Sequence, residues 1–478
     1  MTRPELSAGR IALLLALVCP LQQGLDGRAP TSPVVITNVN VLRLDREGVL
    51  AGQTVVVERG IIRRLGPTRN RTMLPASETI DGTGKFLMPG LVDLHVHLAS
   101  NTGDDQRAIL KLFVANGVTT VLNLRGAPQI LELKAAVAAG RVLGPTIYTS
   151  GPYVNEPFVT TPADVERAVV EQKRAGYDVV KLHGNLSREA YATLNAVARR
   201  EGIRVVGHAP RNLGLAPMFE ERQYAVVHAE EFLYDRENTS RNAARIEPQI
   251  PALARSMARA GIWLMPNLTA FKVIAWQVRD LDAVLARPEM RFMPAAVRTG
   301  WGPATNPYTT RLGREKYPEI QALYQLVEKL VRGFRAGGVR LLIGTDAMNT
   351  GVVPGFSTHD ELADLVAAGL TPFEALRAAT ANAADFLAVP GQRGLVAVGQ
   401  KADLLLLDAN PLENIANSRR IAGVMLRGRW LSRTGLLEIL EELDRKGSET
   451  PVASPSRVEP GFTPPTRGRS RRAVEQRG

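Results

Sequence analysis

An α/β fold closed into a (β/α)₈, TIM-like barrel is predicted by three features of the sequence. Eight short apolar runs alternate with helical segments between residues 90 and 347, as parallel βα units do. β-rich stretches broken by glycine and charged turns flank that alternation on both sides. Five of the six histidines fall at or near the C-terminal ends of the apolar runs, the end where such barrels carry their active sites.

In chain order, MTRPELSAGR is followed by the apolar run IALLLALVCPL. Two arginines ahead of a run too short to span a bilayer read as a secretory signal over residues 1–29, with cleavage before Pro30. The chain is therefore expected to be exported, to the periplasm or beyond, with no stable membrane anchor. Cys19, the one cysteine, leaves with the signal, and the bulky Val18 before it argues against a lipid-acceptor site. An exported domain with a large core has no need of disulfides.

SPVVITNVNVLRLD and TVVVERGIIRRLG then read as hairpins, as do KADLLLLDANPL and IAGVMLRGRWL near the other end. The eight strand candidates are 90–98, 117–124, 146–151, 177–184, 203–209, 224–230, 261–268 and 340–347. Helical patterns separate most of them, clearest at 162–176 and 188–202. The stretch 269–337 exceeds one ordinary crossover and predicts an insertion near the site. A helical run over 359–389 follows strand eight. From Gly447 to Gly478 the chain is rich in Ser, Pro, Thr and Arg, a composition that builds no core.

The formal net charge is +12. No zinc-finger spacing or basic–aromatic interleaving accompanies it, so a dispersed basic surface is favoured over nucleic-acid binding. A small-molecule substrate and a homo-oligomer are expected.

His95 and His97 lie two apart on a strand and share a face, where two neutral imidazoles chelate a divalent metal. His208 in VVGHA, His228 in VVHAE and Asp346 in IGTDA add nitrogen and carboxylate donors from strands five, six and eight. Together the five residues read as a metal site.

These pieces, with PGLVDLHVH, GVTTV, DVVKLH, STHDELADLVAAGLTPFEALRAATANAADFL and GQKADLLLLDANPLENI, resemble the amidohydrolase superfamily. The likeness is to its imidazolonepropionase-like and metal-dependent prolidase-like branch, and it covers roughly residues 34–435. It implies a barrel over 89–389 and a small β-sandwich built from both flanks, 34–88 and 390–435. It also implies that Lys181, which ends strand four, is carboxylated by CO₂ and bridges two divalent metals, zinc foremost. On the residues alone Lys181 has another reading, a lysine that snorkels or pairs with Asp346.

The implied activity is hydrolysis of an amide, peptide or cyclic-amide bond, as in dipeptidases of the branch. Metal-activated water attacks, and Asp346 takes its proton and passes one to the leaving nitrogen. His183 is placed to bind substrate or orient the carbamate. Tyr153, Asn267 and Arg125 follow strands three, seven and two and are placed to face the pocket. His359, at the start of the last helical run, lines the pocket or caps that helix. Two rivals stand: a mononuclear deaminase or imidazolone-type ring hydrolase, and a non-enzymatic relative. The second is disfavoured because no ligand is missing.

Overall fold

A computed structural model describes residues 32–70, 78–98, 103–234 and 243–448. The expected signal segment with Cys19, and the tail from residue 449 onward, lie outside the described residues.

The N-terminal flank forms strands β1 (Val34–Leu42), β2 (Val49–Glu58), β3 (Ile61–Pro67), β4 (Glu78–Asp81) and β5 (Phe86–Pro89). Arg59 and Gly60 join β2 to β3 with positive φ at both positions, the two-residue turn whose twist matches a hairpin. Eight parallel strands of the central region follow: β6 (Leu91–Val96), β7 (Val118–Asn123), β8 (Thr146–Thr149), β9 (Val179–Leu182), β10 (Arg204–Gly207), β11 (Ala225–Val227), β12 (Trp263–Met265) and β13 (Arg340–Leu341). β14 (Leu404–Leu407), β15 (Ile421–Leu426) and β16 (Arg429–Ser432) complete the C-terminal flank.

The two flanks join in one eight-stranded sheet, ordered β16-β15-β14-β5-β1-β2-β3 with β4 also on β1. Strands of both flanks thus form one β-rich unit, in which β5 pairs β1 on one side and β14 on the other. Side chains in β14 alternate as a strand requires. Leu404 and Leu406 enter the core of the flanks with Ile36, Val55 and Leu87, while Leu405 and Leu407 enter the core of the helical layer with Phe113 and Val118.

The central strands form a three-stranded sheet, β6-β7-β8, and a five-stranded sheet, β9 through β13. Single parallel bridges, Ser150–Val179 and Val96–Ala347, lie between the edges of the two. Val92, Leu94 and Leu122 of the first sheet share one buried cluster with Val179, Val206, Ala225, Trp263 and Met265 of the second. Strand eight was expected over 340–347; the regular strand ends at Leu341, and isolated backbone bonds carry the segment on, Leu342 N to Leu264 O, Leu94 N to Ile343 O and His97 N to Ala347 O. The Asp93 carboxylate adds to them by accepting from Thr345 N, Thr345 Oγ1 and His95 N.

Helices cover the strands. Pro162–Ala175 starts with a capping box between Thr161 and Asp164, Arg188–Glu201 starts on the Ser187 side chain, and each ends on a left-handed glycine. The run expected over 359–389 is three helices, Phe356–Ala367, Pro372–Ala378 and Ala381–Phe386. Gly369 at φ 110° and the Thr371–Glu374 capping box force the first break. The insertion consists of Leu268–Leu285, broken at Asp280, the short turns Pro288–Phe292 and Ala295–Gly300, and Tyr317–Ala336. A last helix, Arg433–Ser448, buries Leu436, Ile439 and Leu443, and Glu442 bonds Lys111 at 2.6 Å. It carries ordered chain through Gly447, where the tail was expected to begin. Gly447 is buried, and its carbonyl accepts from Arg298. Among the described residues no helix is long and apolar enough to cross a membrane.

Candidate metal centre and active site

The strand alternation that fills the central core also aims the polar residues. Val179, Lys181 and His183 share one parity on and after β9, as do Val206 and His208 on and after β10. His228 breaks its alternation. It follows the inward Val227, and its φ of 70° turns the side chain back toward the site. Asp346 is likewise left-handed, at φ 61°.

Donor atoms of His95, His97 and Asp346 all lie within 4.8 Å of one another. Asp346 Oδ1 is 2.7 Å from His97 Nε2 and 3.2 Å from His95 Nε2, and Oδ2 is 3.9 Å from His228 Nε2. The His228 ring centroid is 4.9 Å from both His95 and His208, and His183 meets His208 edge-on at 4.7 Å. The four expected histidine ligands and Asp346 thus form one chain of neighbours.

Each buried imidazole in that chain has an acceptor behind it. His95 Nδ1 faces Asn267 Oδ1 at 3.4 Å, His208 Nδ1 faces Glu231 Oε1 at 2.8 Å, and His228 Nδ1 faces Glu230 Oε1 at 3.5 Å. Such partners hold the proton on Nδ1 and leave Nε2 as the donor to a metal. Burial holds His95 and His208 well below the ordinary imidazole range and His228 at about 4. The rings are therefore neutral, as metal ligation requires. Burial opposes ionisation of Asp346, but the surrounding His95, His97 and His228 keep it well below the usual carboxylate range.

Lys181 is fully buried, and among the described residues its Nζ has no hydrogen-bond partner. Burial pushes its ammonium down to about 7, against the pull of Asp346 and Glu231. The pairing with Asp346 that the sequence left open is absent. A buried amine without a partner costs free energy unless something completes it.

His183 and Tyr153 line the cavity above the cluster, their rings stacked at 4.5 Å and 7°, and Arg125 lies 6.0 Å from the Tyr153 ring. Two expectations are corrected. His359 does not line the cavity. It is buried between Ser418 Oγ, 2.9 Å from Nδ1, and Asn116 O, 3.0 Å from Nε2, and so ties its helix to neighbouring segments. Asn267 does not face substrate either. Its left-handed backbone turns the amide inward, where Oδ1 accepts from His228 N at 3.1 Å and meets His95.

Other residues of the site went unassigned in the sequence. Glu231, buried, holds both His208 and Arg211, whose Nε is 3.0 Å from Oε1. Glu230 lines the cavity with one oxygen unpartnered. The only signal was two consecutive acids after His228 in VVHAEE. The cavity itself holds about 530 Å³. Its far wall is the insertion, with Phe271, Ile274, Trp301, Tyr308 and Leu323 exposing apolar surface.

Comparison with known proteins agrees with this geometry. The description of the amidohydrolase family matches residues 86–431. The ochratoxinase of Aspergillus niger is 25% identical over 369 residues, 69% of this chain and 71% of the relative. A 5-methylthioadenosine/S-adenosylhomocysteine deaminase of Caldanaerobacter subterraneus is 23% identical over 406 residues, 79% of this chain and 85% of the relative. Among solved structures, a bottromycin amidohydrolase superposes with a TM-score of 0.71 at 24% identity, covering 91% of this chain and 95% of its own. A Xaa-Pro dipeptidase with bound methionine reaches 0.65 at 17% identity, covering 84% and 100%. At these identities the structural likeness speaks to the fold alone.

Proposed function

Because the chain belongs to the amidohydrolase family and is a metal-dependent hydrolase of carbon–nitrogen bonds, we propose that it cleaves an amide, peptide or cyclic-amide bond of a small molecule. In this reading it uses two divalent metals, zinc foremost, with Lys181 carboxylated between them. The observation that carries the reading is the buried, partnerless Nζ of Lys181 beside an imidazole–carboxylate cluster. As a neutral amine it attacks CO₂, forming an N–C bond and releasing one proton, and the carbamate offers two oxygens. His95, His97 and Asp346 would hold one metal and His208 and His228 a second, with a Lys181 carbamate supplying oxygen donors to the pair.

When bound, the metals acidify water and polarise the scissile carbonyl. The chain's own residues do the rest. Asp346, ionised and hydrogen-bonded to His97, accepts the proton of the attacking water and delivers it to the departing nitrogen. Asn267, Glu231 and Glu230 fix the tautomers of the ligand imidazoles. His183 and Tyr153 contact substrate from the cavity wall, and the insertion excludes water from the far side.

The same reading joins the two parallel sheets into one barrel over 89–389, supported by the two bridges and the shared interior cluster. It places the enzyme outside the cytoplasm as a homo-oligomer. Mass spectrometry of protein from its host tests export: loss of the first two to three dozen residues is expected, and an intact Met1 or a lipid on Cys19 counts against it. The compact His95–His97–Asp346 group alone suits a mononuclear deaminase. Metal analysis with a screen of dipeptides and N-acyl amino acids separates the two. Two metals per chain and amide cleavage are expected, whereas one tight metal with ammonia release overturns the binuclear hydrolase.

A further inference from the structure

The Glu230 carboxylate stands apart from every other acid near the cluster. Asp346 and Glu231 are both engaged, the first with His97 and Asn349, the second with His208 and Arg211. Glu230 is 5% exposed; its carboxylate meets its own backbone N–H, and Oε1 lies 3.5 Å from His228 Nδ1. Oε2 is buried with no hydrogen-bond partner among the described residues. The side chain lines the large cavity alongside Tyr234 and Tyr308. A residue serving only to orient His228 needs one oxygen. A second, desolvated carboxylate oxygen with no hydrogen-bond partner, on a residue that lines a cavity, carries a cost that a cationic ligand group would reduce.

We propose that Glu230 is a specificity residue that binds a primary ammonium on the substrate, so that the preferred substrates are aminoacyl amides with a free amino group and an apolar side chain. This rests on the reading that an amide is cleaved at the cluster. One imidazole ring, that of His228, separates the Glu230 contact from the Asp346 contact. In an aminoacyl amide the α-ammonium is two bonds from the scissile carbonyl carbon, so it is the cation nearest the bond that Asp346 helps to cleave. The apolar side chain then meets Phe271, Ile274 and Trp301 of the insertion. A charge-assisted hydrogen bond in a dry site discriminates between charged and uncharged isosteres by roughly 10- to 100-fold.

The test uses the full metal-replete protein and two probes that cannot be hydrolysed, L-leucinol and its des-amino counterpart 4-methylpentan-1-ol. Calorimetry of the wild type is expected to give at least about tenfold tighter binding of leucinol, and Glu230→Gln to reduce that ratio about tenfold or more. A wild-type ratio below tenfold, or a ratio unchanged in Glu230→Gln, overturns the proposal. Should Glu230→Gln fail to fold, Glu230→Ala is measured in its place, and the same loss of the ratio is required. A parallel arm compares hydrolysis of leucyl-glycine and 4-methylpentanoyl-glycine. If neither is cleaved while leucinol selectivity holds and is lost in the variant, the amide-hydrolase reading fails and the ammonium site stands.

Discussion

Replacing Lys181 by alanine removes the one side chain on which the binuclear reading turns. Its Nζ is buried and partnerless, so no protein hydrogen bond is lost with it. What is lost is the shared ligand. Removing a residue that merely supports a ligand costs about 10- to 100-fold in metal affinity, and removing a direct bridge costs at least that. One metal should leave. Metal electrostatics supply several kcal/mol of transition-state stabilisation, so kcat should fall on the order of 10²- to 10⁴-fold. Acetate or another short carboxylate, entering the space vacated by the side chain, should restore part of both metal content and rate. Metal analysis of the purified variant, with and without acetate, is the assay. Metal content unchanged from wild type would overturn the binuclear reading.

Stability of the metal-free protein gives an independent check. The fall of the Lys181 ammonium from 10.5 to about 7 corresponds to about 5 kcal/mol. The folded pKa is depressed, so the unfolded chain binds the extra proton between those values, and stability rises with pH across that window. Metal-free Lys181→Met should therefore be more stable than metal-free wild type below pH 7. The gap should close as pH rises toward 10.5. Denaturant titration at pH 6 and pH 10 measures it.

Glu231→Gln weakens the acceptor behind His208, and metal affinity should drop about 10- to 100-fold in competition with a chelator, an effect absent if Glu231 only packs. Burial raises Glu361 from 4.5 to about 8, with Asp364 adding to the rise, although Leu268 N and Thr269 N donate to its carboxylate. The folded state thus holds a proton that the unfolded state releases. Stability should fall by up to about 5 kcal/mol as pH rises from 4.5 to 8 and flatten above, and Glu361→Gln should remove the slope; a wild-type midpoint rising over that range sinks the argument. His359→Ala leaves Ser418 Oγ and Asn116 O short of a partner, and denaturation should show a loss of about 2–4 kcal/mol with KM unmoved. A raised KM would return His359 to the cavity.

The strands, most helices and the residues that meet at the cluster were legible in one dimension because each has a local signature. Apolar runs of strand length alternate with helical periodicity, the caps Thr161, Ser187 and Thr371 precede their helices, and His95, His97, His208, His228 and Asp346 sit at strand ends. Strand parity even aims Lys181 and His183 correctly. The roles of Asn267, Glu230, Glu231 and His359 were not legible. Asn267 and His359 sit where pocket residues belong, and only the left-handed turn at one and the distant acceptors Ser418 and Asn116 at the other take them out of the cavity. Glu230 and Glu231 are identical neighbours in sequence. One meets Arg211 and His208, the other lines the cavity with one buried oxygen left without a partner. Residue type and local periodicity determine which groups reach the C-terminal ends of the parallel strands. Which of them are neutralised there depends on partners brought in from other elements, and that only tertiary packing decides.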